Sequence, residues 1–213
     1  MLLENIKSAL FVGAHTDDEM ICSGTLARLV GHGANVHIIS FSFARIDGMP
    51  EAQSKEILKK EFAAAMDILG IPEANRWLPD FETRELPENR SAVRQYVYDF
   101  VTRVRPDAAF LLSPYDEHQD HQTVGEECER AAKGRVPLIV RCQYPWNYRS
   151  FNPNLYISLT DKEFQVKLAH IKAYRSQAFR YDYEKLFGSY AVGDGVSVRR
   201  QIAEKFEIVR CVA

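Results

Sequence analysis

The sequence predicts an α/β fold in which a doubly wound, mostly parallel sheet is covered by helices, three layers in all. Three observations lead there. Short apolar or β-branched runs alternate along the chain with segments of helical spacing. The run AAFLLS at 108–113 is apolar without alternation, as a strand buried on both faces must be. Parallel neighbours each need a covering crossover, and the intervening amphipathic segments supply it.

Residues 9–14 (ALFVGA) read as the first strand, and 19–30 as a helix that Gly31 and Gly33 stop. Residues 36–43 (VHIISFSF) are β-branched and aromatic, a second strand. After a loop at Asp47-Gly48-Met49-Pro50, a helix carries Leu58, Phe62, Ala65, Met66 and Leu69 on one face. The stripe Val93, Tyr96, Val97, Phe100, Val101 and Val104 marks another helix, ended by Pro106, and leads into the strand at 108–113. Residues 137–142 and 155–159 read as strands, 161–177 as a helix with Phe164, Leu168 and Ile171 inward, and 206–212 as the last strand.

At 213 residues and 46% hydrophobic content, the chain can bury one substantial core. One catalytic domain over 1–213 is expected, with 143–213 as a portion that shapes the pocket or contacts another subunit. Lys plus Arg number 27 against 29 Asp plus Glu, which argues against nucleic acid or an anionic membrane as partner. No apolar run approaches the roughly 18 residues of a membrane span, so a soluble cytoplasmic protein is expected. Cys22, Cys128, Cys142 and Cys211 are scattered, without a C-x-x-C pair, and read as reduced core thiols.

Ligands of doubly wound sheets bind outside the carboxyl ends of the strands. There the first strand delivers His15, Asp17, Asp18 and Glu19, with Gly13 alone where a dinucleotide fingerprint would need several glycines. The strand at 108–113 ends likewise, in Pro114-Tyr-Asp-Glu-His-Gln-Asp-His121. If the two strands are neighbours, the clusters converge and supply His15, Asp18 and His121 as metal ligands, leaving Asp17, His118 and Asp120 beside them. Three N/O ligands with an open position is the make-up of a catalytic zinc site. Either cluster alone would read as surface polarity or a helix cap. His32, His37 and His170 lack acidic companions in sequence and are assigned to structure.

Ala14-His-Thr-Asp-Asp-Glu19 resembles the A-H-P-D-D-E signature of the LmbE-like, or PIG-L-like, zinc-dependent N-deacetylases, and His118-Gln-Asp-His121 resembles their H-x-D-H motif. Weaker likeness extends through Glu61–Gly70, Ala173-Tyr-Arg-Ser-Gln177 and Ala203-Glu-Lys-Phe206. The resemblance implies a Rossmann-like sandwich and one zinc per chain on His15, Asp18 and His121, with iron or cobalt as other divalent candidates. It implies Asp17 as general base. His118 would stabilise the tetrahedral oxyanion or protonate the departing amine, and Asp120 would be the carboxylate that orients this imidazole. The expected substrate is an N-acetylglucosamine-type amino sugar or conjugate, and the family often assembles into homo-oligomers.

Departures from the family pattern fall where substrate would bind. Thr16 replaces the usual proline, Ser42-Phe-Ala-Arg45 replaces a T-x-G-E-like turn, and Tyr174 stands where histidine is common. Arg45 is a candidate for a substrate hydroxyl or phosphate. The aromatic loop Gln143–Tyr156 offers Tyr144, Trp146, Tyr148 and Phe151, with Trp146 the candidate for stacking on a sugar ring. Phe179–Tyr190 reads as a lid or subunit contact. The rival readings are a metal-dependent amidase or esterase on a non-sugar substrate and a non-catalytic metal-binding module. A serine hydrolase would need a G-x-S-x-G elbow, which Cys22-Ser23-Gly24 does not supply.

Overall fold

The apolar runs become the centre of one sheet. The computed structural model describes residues 3–147 and 149–212. Its strands are β1 Ser8–Gly13, β2 Asn35–Ser40, β3 Arg76–Trp77, β4 Ala108–Leu112, β5 Leu138–Cys142, β6 Leu155–Ser158 and β7 Ala203–Cys211. Its helices are α1 Ser23–Gly31, α2 Glu51–Leu69, α3 Arg90–Val104, α4 Gln119–Ala132, α5 Asp161–Ala173 and α6 Tyr183–Ser197. The sheet order is β3-β2-β1-β4-β5-β7-β6. Pairing is parallel from β3 to β5, and β7 runs antiparallel to both β5 and β6. Helices α1, α2 and α5 pack together, as do α3 and α4, giving the expected layered α/β fold. Among the described residues, no helix is long and apolar enough to cross a membrane.

From β1 the chain winds outward through β2 to β3, then returns to β4 and winds the other way to β5. The reversal leaves β1 and β4 side by side, with Val12 beside Leu111, so their carboxyl ends open into one crevice. Helix α4 comes unusually close to the end of β4. A Cβ on Gly125 would lie 2.6 Å from the Leu112 carbonyl oxygen and 2.7 Å from the Pro114 nitrogen, so only glycine permits this approach. Helix α5 starts with a capping box between Thr160 and Glu163, and Arg28 of α1 grips the Glu163 carboxylate at 2.9 and 2.8 Å.

Three expectations are corrected. The helix expected to run to 177 ends at Ala173, and a 3-10 turn at Arg175–Gln177 follows. Its inward face includes Lys167 and His170 beside Ile171, while Leu168 is only half-buried. Of the four cysteines, Cys22, Cys128 and Cys142 are buried, but Cys211 is exposed, because β7 there extends beyond its pairing with β6.

Candidate metal centre and pocket

Asp18 is fixed first, by the turn that carries it. Its Oδ2 accepts the N–H groups of Ala14 and His15 at 2.7 and 2.9 Å, and its Oδ1 accepts the Tyr144 hydroxyl at 3.1 Å. The turn folds tightly over Gly13, where a Cβ would lie 2.9 Å from the Cβ of Asp18. Across the crevice, His118 caps α4 and His121 follows in its first turn. His121 Nε2 lies 3.3 Å from His15 Nδ1 and 3.2 Å from Asp18 Oδ1. His15, Asp18 and His121, all buried, therefore point three metal-ligating atoms at one place.

The outward nitrogens of both imidazoles meet carboxylates. His15 Nε2 is 3.0 Å from Asp120 Oδ2, and His121 Nδ1 is 3.1 Å from Asp116 Oδ2. Such partners hold the ring proton on the far nitrogen and leave the inward one free to ligate. Burial opposes charge on His15, but hydrogen bonds to Asp120 and Asp18 outweigh it and raise its pKa to about 9. His121 rises to about 10, burial being outweighed by Asp18 and Asp116. Burial likewise opposes the Asp18 carboxylate, yet His121 and His15 hold it well below the usual carboxylate range. The cluster is a seat for positive charge, and its donor set fits a divalent metal. A second grouping, His15, His118 and Asp120, shares His15, but the 3.0 Å hydrogen bond already engages that side of the ring.

Asp17 differs from its neighbour. Its carboxylate lines the pocket, and no hydrogen bond to it is found among the described residues. Burial and the adjacent Asp18 charge push its pKa up to about 7. His118 also lines the pocket, and its Nδ1 accepts the Asp120 backbone N–H at 3.2 Å. An N–H can only donate, so Nδ1 is the acceptor and the neutral ring carries its proton on Nε2. Burial, then the neighbouring His15 and His121, lower its pKa to about 4. The Asp120 carboxylate thus orients His15, and it is the Asp120 backbone that holds His118. That reverses the expected partner of this carboxylate.

The pocket has a volume of about 280 Å³. Arg45 and Trp146 both line it, together with Tyr144, Tyr181 and Tyr183. Trp146 packs against Tyr144, Tyr181 and Phe187, with ring centroids 5.1, 5.4 and 5.8 Å away. The segment read as a lid or subunit contact is therefore pocket wall, continued into α6. Tyr148 lies outside the described residues. His37 packs edge-on to Phe100 and His32 ends α1, structural positions both. His170 is also structural but has an acidic companion, Glu19, at 3.0 Å, and Tyr174 donates to the same carboxyl oxygen. Asp116, Arg84 and Lys167 were missed in sequence. Of these, only Asp116 carried a signal, standing in the second cluster.

The sequence matches the PIG-L family, described as GlcNAc-PI de-N-acetylase, over residues 10–132, a span that holds both clusters. The chain belongs to the PIG-L family. The chain is similar to an uncharacterized deacetylase, YaiS of Escherichia coli K12, 28% identical over 177 residues that cover 80% of this chain and 91% of that one. Among solved structures, it is similar to N,N'-diacetylchitobiose deacetylase from Pyrococcus horikoshii, with a TM-score of 0.80 at 22% identity, covering 97% of this chain and 85% of the other. It is equally similar in fold to GalB, the 4-carboxy-2-hydroxymuconate hydratase of Pseudomonas putida KT2440, with a TM-score of 0.81 at 20% identity, covering 97% and 98%. PIG-L proteins typically depend on a metal, and His15, Asp18 and His121 are where this chain gathers metal-ligating groups.

Proposed function

We propose that this PIG-L protein is a zinc-dependent hydrolase that removes the acetyl group from an N-acetylglucosamine-type substrate, with the metal held by His15, Asp18 and His121. The observation that carries the reading is the unequal state of two adjacent aspartates. Asp18 is bound by backbone and Tyr144, whereas the Asp17 carboxylate has no hydrogen bond among the described residues and lines the pocket. A bound zinc supplies the Lewis acidity that makes water nucleophilic near neutral pH and polarises an acyl carbonyl.

Asp17, unengaged and beside the ligand Asp18, takes the proton from the attacking water. His118, neutral and protonated at Nε2, donates a hydrogen bond to the oxygen on which negative charge develops. Because His118 arrives without an extra proton, Asp17 is the group that returns one to the departing nitrogen. The products are acetate and a free amine. Trp146 and the neighbouring tyrosines offer the flat apolar faces that a sugar ring stacks on. The whole chain acts as one catalytic domain, with residues 143–213 shaping the pocket. The same reading places it in the cytoplasm, where its unpaired cysteines stay reduced.

The test is elemental analysis coupled to amine release from free, thiol-linked and nucleotide-linked N-acetylglucosamine. One divalent metal per chain and amine release lost on chelation are expected. Full activity after chelation overturns the metal, and turnover of simple esters or peptides alone overturns the substrate class.

A further inference from the structure

Above the acidic floor of the pocket stand three arginines from three separate segments: Arg45 after β2, Arg84 before α3 and Arg180 before α6. Arg180 Nη2 donates to the Arg45 carbonyl at 2.8 Å and lies 3.6 Å from Asp47. Arg45 Nη2 is 3.4 Å from the Thr83 carbonyl and 3.9 Å from the exposed Glu51, and its buried Nε has no partner. The guanidinium of Arg84 has no hydrogen bond or ion pair among the described residues. The residue is exposed and lines the pocket, so its donors are open to a ligand there.

The backbone of Arg84 is far from idle. It sits at φ 75°, a left-handed conformation that costs energy in any residue with a Cβ. Two bonds to the H-x-D-H segment hold it there: its N–H donates to Asp120 Oδ2 at 2.7 Å, and its carbonyl accepts from Gln119 Nε2 at 2.5 Å. That strained backbone carries a side chain with no hydrogen bond or ion pair among the described residues. Of the acidic groups that line the pocket, Asp18 belongs to the metal cluster and Asp17 stands beside it, so they leave the rim to the arginines.

We propose that the natural substrate is an anion: besides its N-acyl group it bears an oxyanion, a carboxylate or a phosphate, received at the pocket mouth by Arg84 within the field of Arg45 and Arg180. A planar guanidinium pairs with either oxyanion through parallel N–H donors. The distant contact of Arg45 with exposed Glu51 is weak and is readily exchanged for a ligand. This inference rests on the N-deacetylase reading for the reaction, but not for the binding.

The experiment therefore measures binding and turnover separately on the metal-loaded protein, with N-acetylglucosamine, N-acetylglucosamine 6-phosphate and N-acetylmuramic acid as the neutral, phosphate and carboxylate probes. Fluorescence of Trp146 at the pocket reports binding. At least one anionic probe is expected to bind about ten- to a hundredfold more tightly than the neutral one, as charge-assisted hydrogen bonds do. The advantage shrinks with added salt. Arg84→Ala, which keeps the Cβ and therefore the same backbone strain, is expected to remove most of it, and Arg84→Lys to retain part. Equal binding of all three probes overturns the proposal, as does an Arg84→Ala variant that weakens neutral and anionic probes by the same factor. If no probe releases an amine while the anions still bind through Arg84, the deacetylase reading fails and this one stands. If all three are deacetylated without regard to charge, the reverse holds.

Discussion

Lys167 and Glu204 form a buried ion pair behind the metal turn, 2.7 Å apart and 1% and 4% exposed. Lys167 Nζ also donates to the carbonyls of Met20 and Ile21, at 2.6 and 3.3 Å, in the turn that follows Asp18. Glu204 accepts the N–H groups of Gly24 and Thr25 and the Thr25 hydroxyl, at 3.1, 2.7 and 2.6 Å. Breaking one side of a buried pair costs about 3–5 kcal/mol, since a charge is left without its counterion. In Lys167→Met the Glu204 carboxylate keeps three donors at the start of α1, so the cost falls near the lower bound, about 3 kcal/mol. In Glu204→Gln the ammonium keeps only neutral carbonyls, and about 4 kcal/mol is expected. The double variant buries no charge at all. It should cost about 3 kcal/mol rather than the sum of about 7, a coupling of about 4 kcal/mol. Urea unfolding of the four proteins measures this directly. A coupling below about 0.5 kcal/mol, the range of independent sites, would refute the claim that the pair acts as one unit.

The two aspartates separate by metal content and rate. Asp17→Asn should retain metal while kcat falls about 10²- to 10⁴-fold, and Asp18→Ala should lose metal; near wild-type turnover in metal-loaded Asp17→Asn would remove Asp17 as base. The Glu19–His170 pair predicts a pH profile. Burial raises Glu19 from 4.5 to about 8 and lowers His170 from 6.5 to about 3, so the folded pair holds one proton between pH 3 and 8. The unfolded pair holds two protons below its Glu value of 4.5, one from there to its His value of 6.5, and none above. Its contribution is therefore flat between those two values and declines by about 1.4 kcal/mol per pH unit on either side, down to pH 3 and up to pH 8. Glu19→Gln should abolish the alkaline decline, and urea titrations in which wild type and variant keep parallel profiles above pH 6.5 would contradict it.

What could be read without coordinates was whatever short-range pattern encodes. Strands β1 and β4 announce themselves as apolar runs, and the histidines and carboxylates at their ends lie within seven residues of one another in each case. Their convergence required only that β1 and β4 be neighbours, which the pairing of Phe11 with Phe110 realises. Helix α6 was illegible because Leu186, Phe187, Ala191, Val192 and Val196 surround its axis rather than form a stripe. Strand β3 is two residues long, too short to have a period. Lys167 reads as a solvated charge on an amphipathic helix, since its partner stands 37 residues further on. The role of Arg84 depends on a backbone angle that no residue type announces.

The reach of the Lys167–Glu204 pair has a consequence for synthesis. A ribosome releases the chain from its N-terminus, at about 5–20 residues per second. His15 and Asp18 thus emerge before His121. The clamps on their turn come last, from positions 147 and 180 residues downstream of the groups they hold. A nascent chain that already exposes His15, Asp18 and His121 still lacks the frame that sets their spacing. The native spacing of these groups is accordingly set only after Lys167 and Glu204 have emerged, and until then the turn after β1 presents one imidazole and the carboxylates of Asp17, Asp18 and Glu19 to any passing cation without selecting among them.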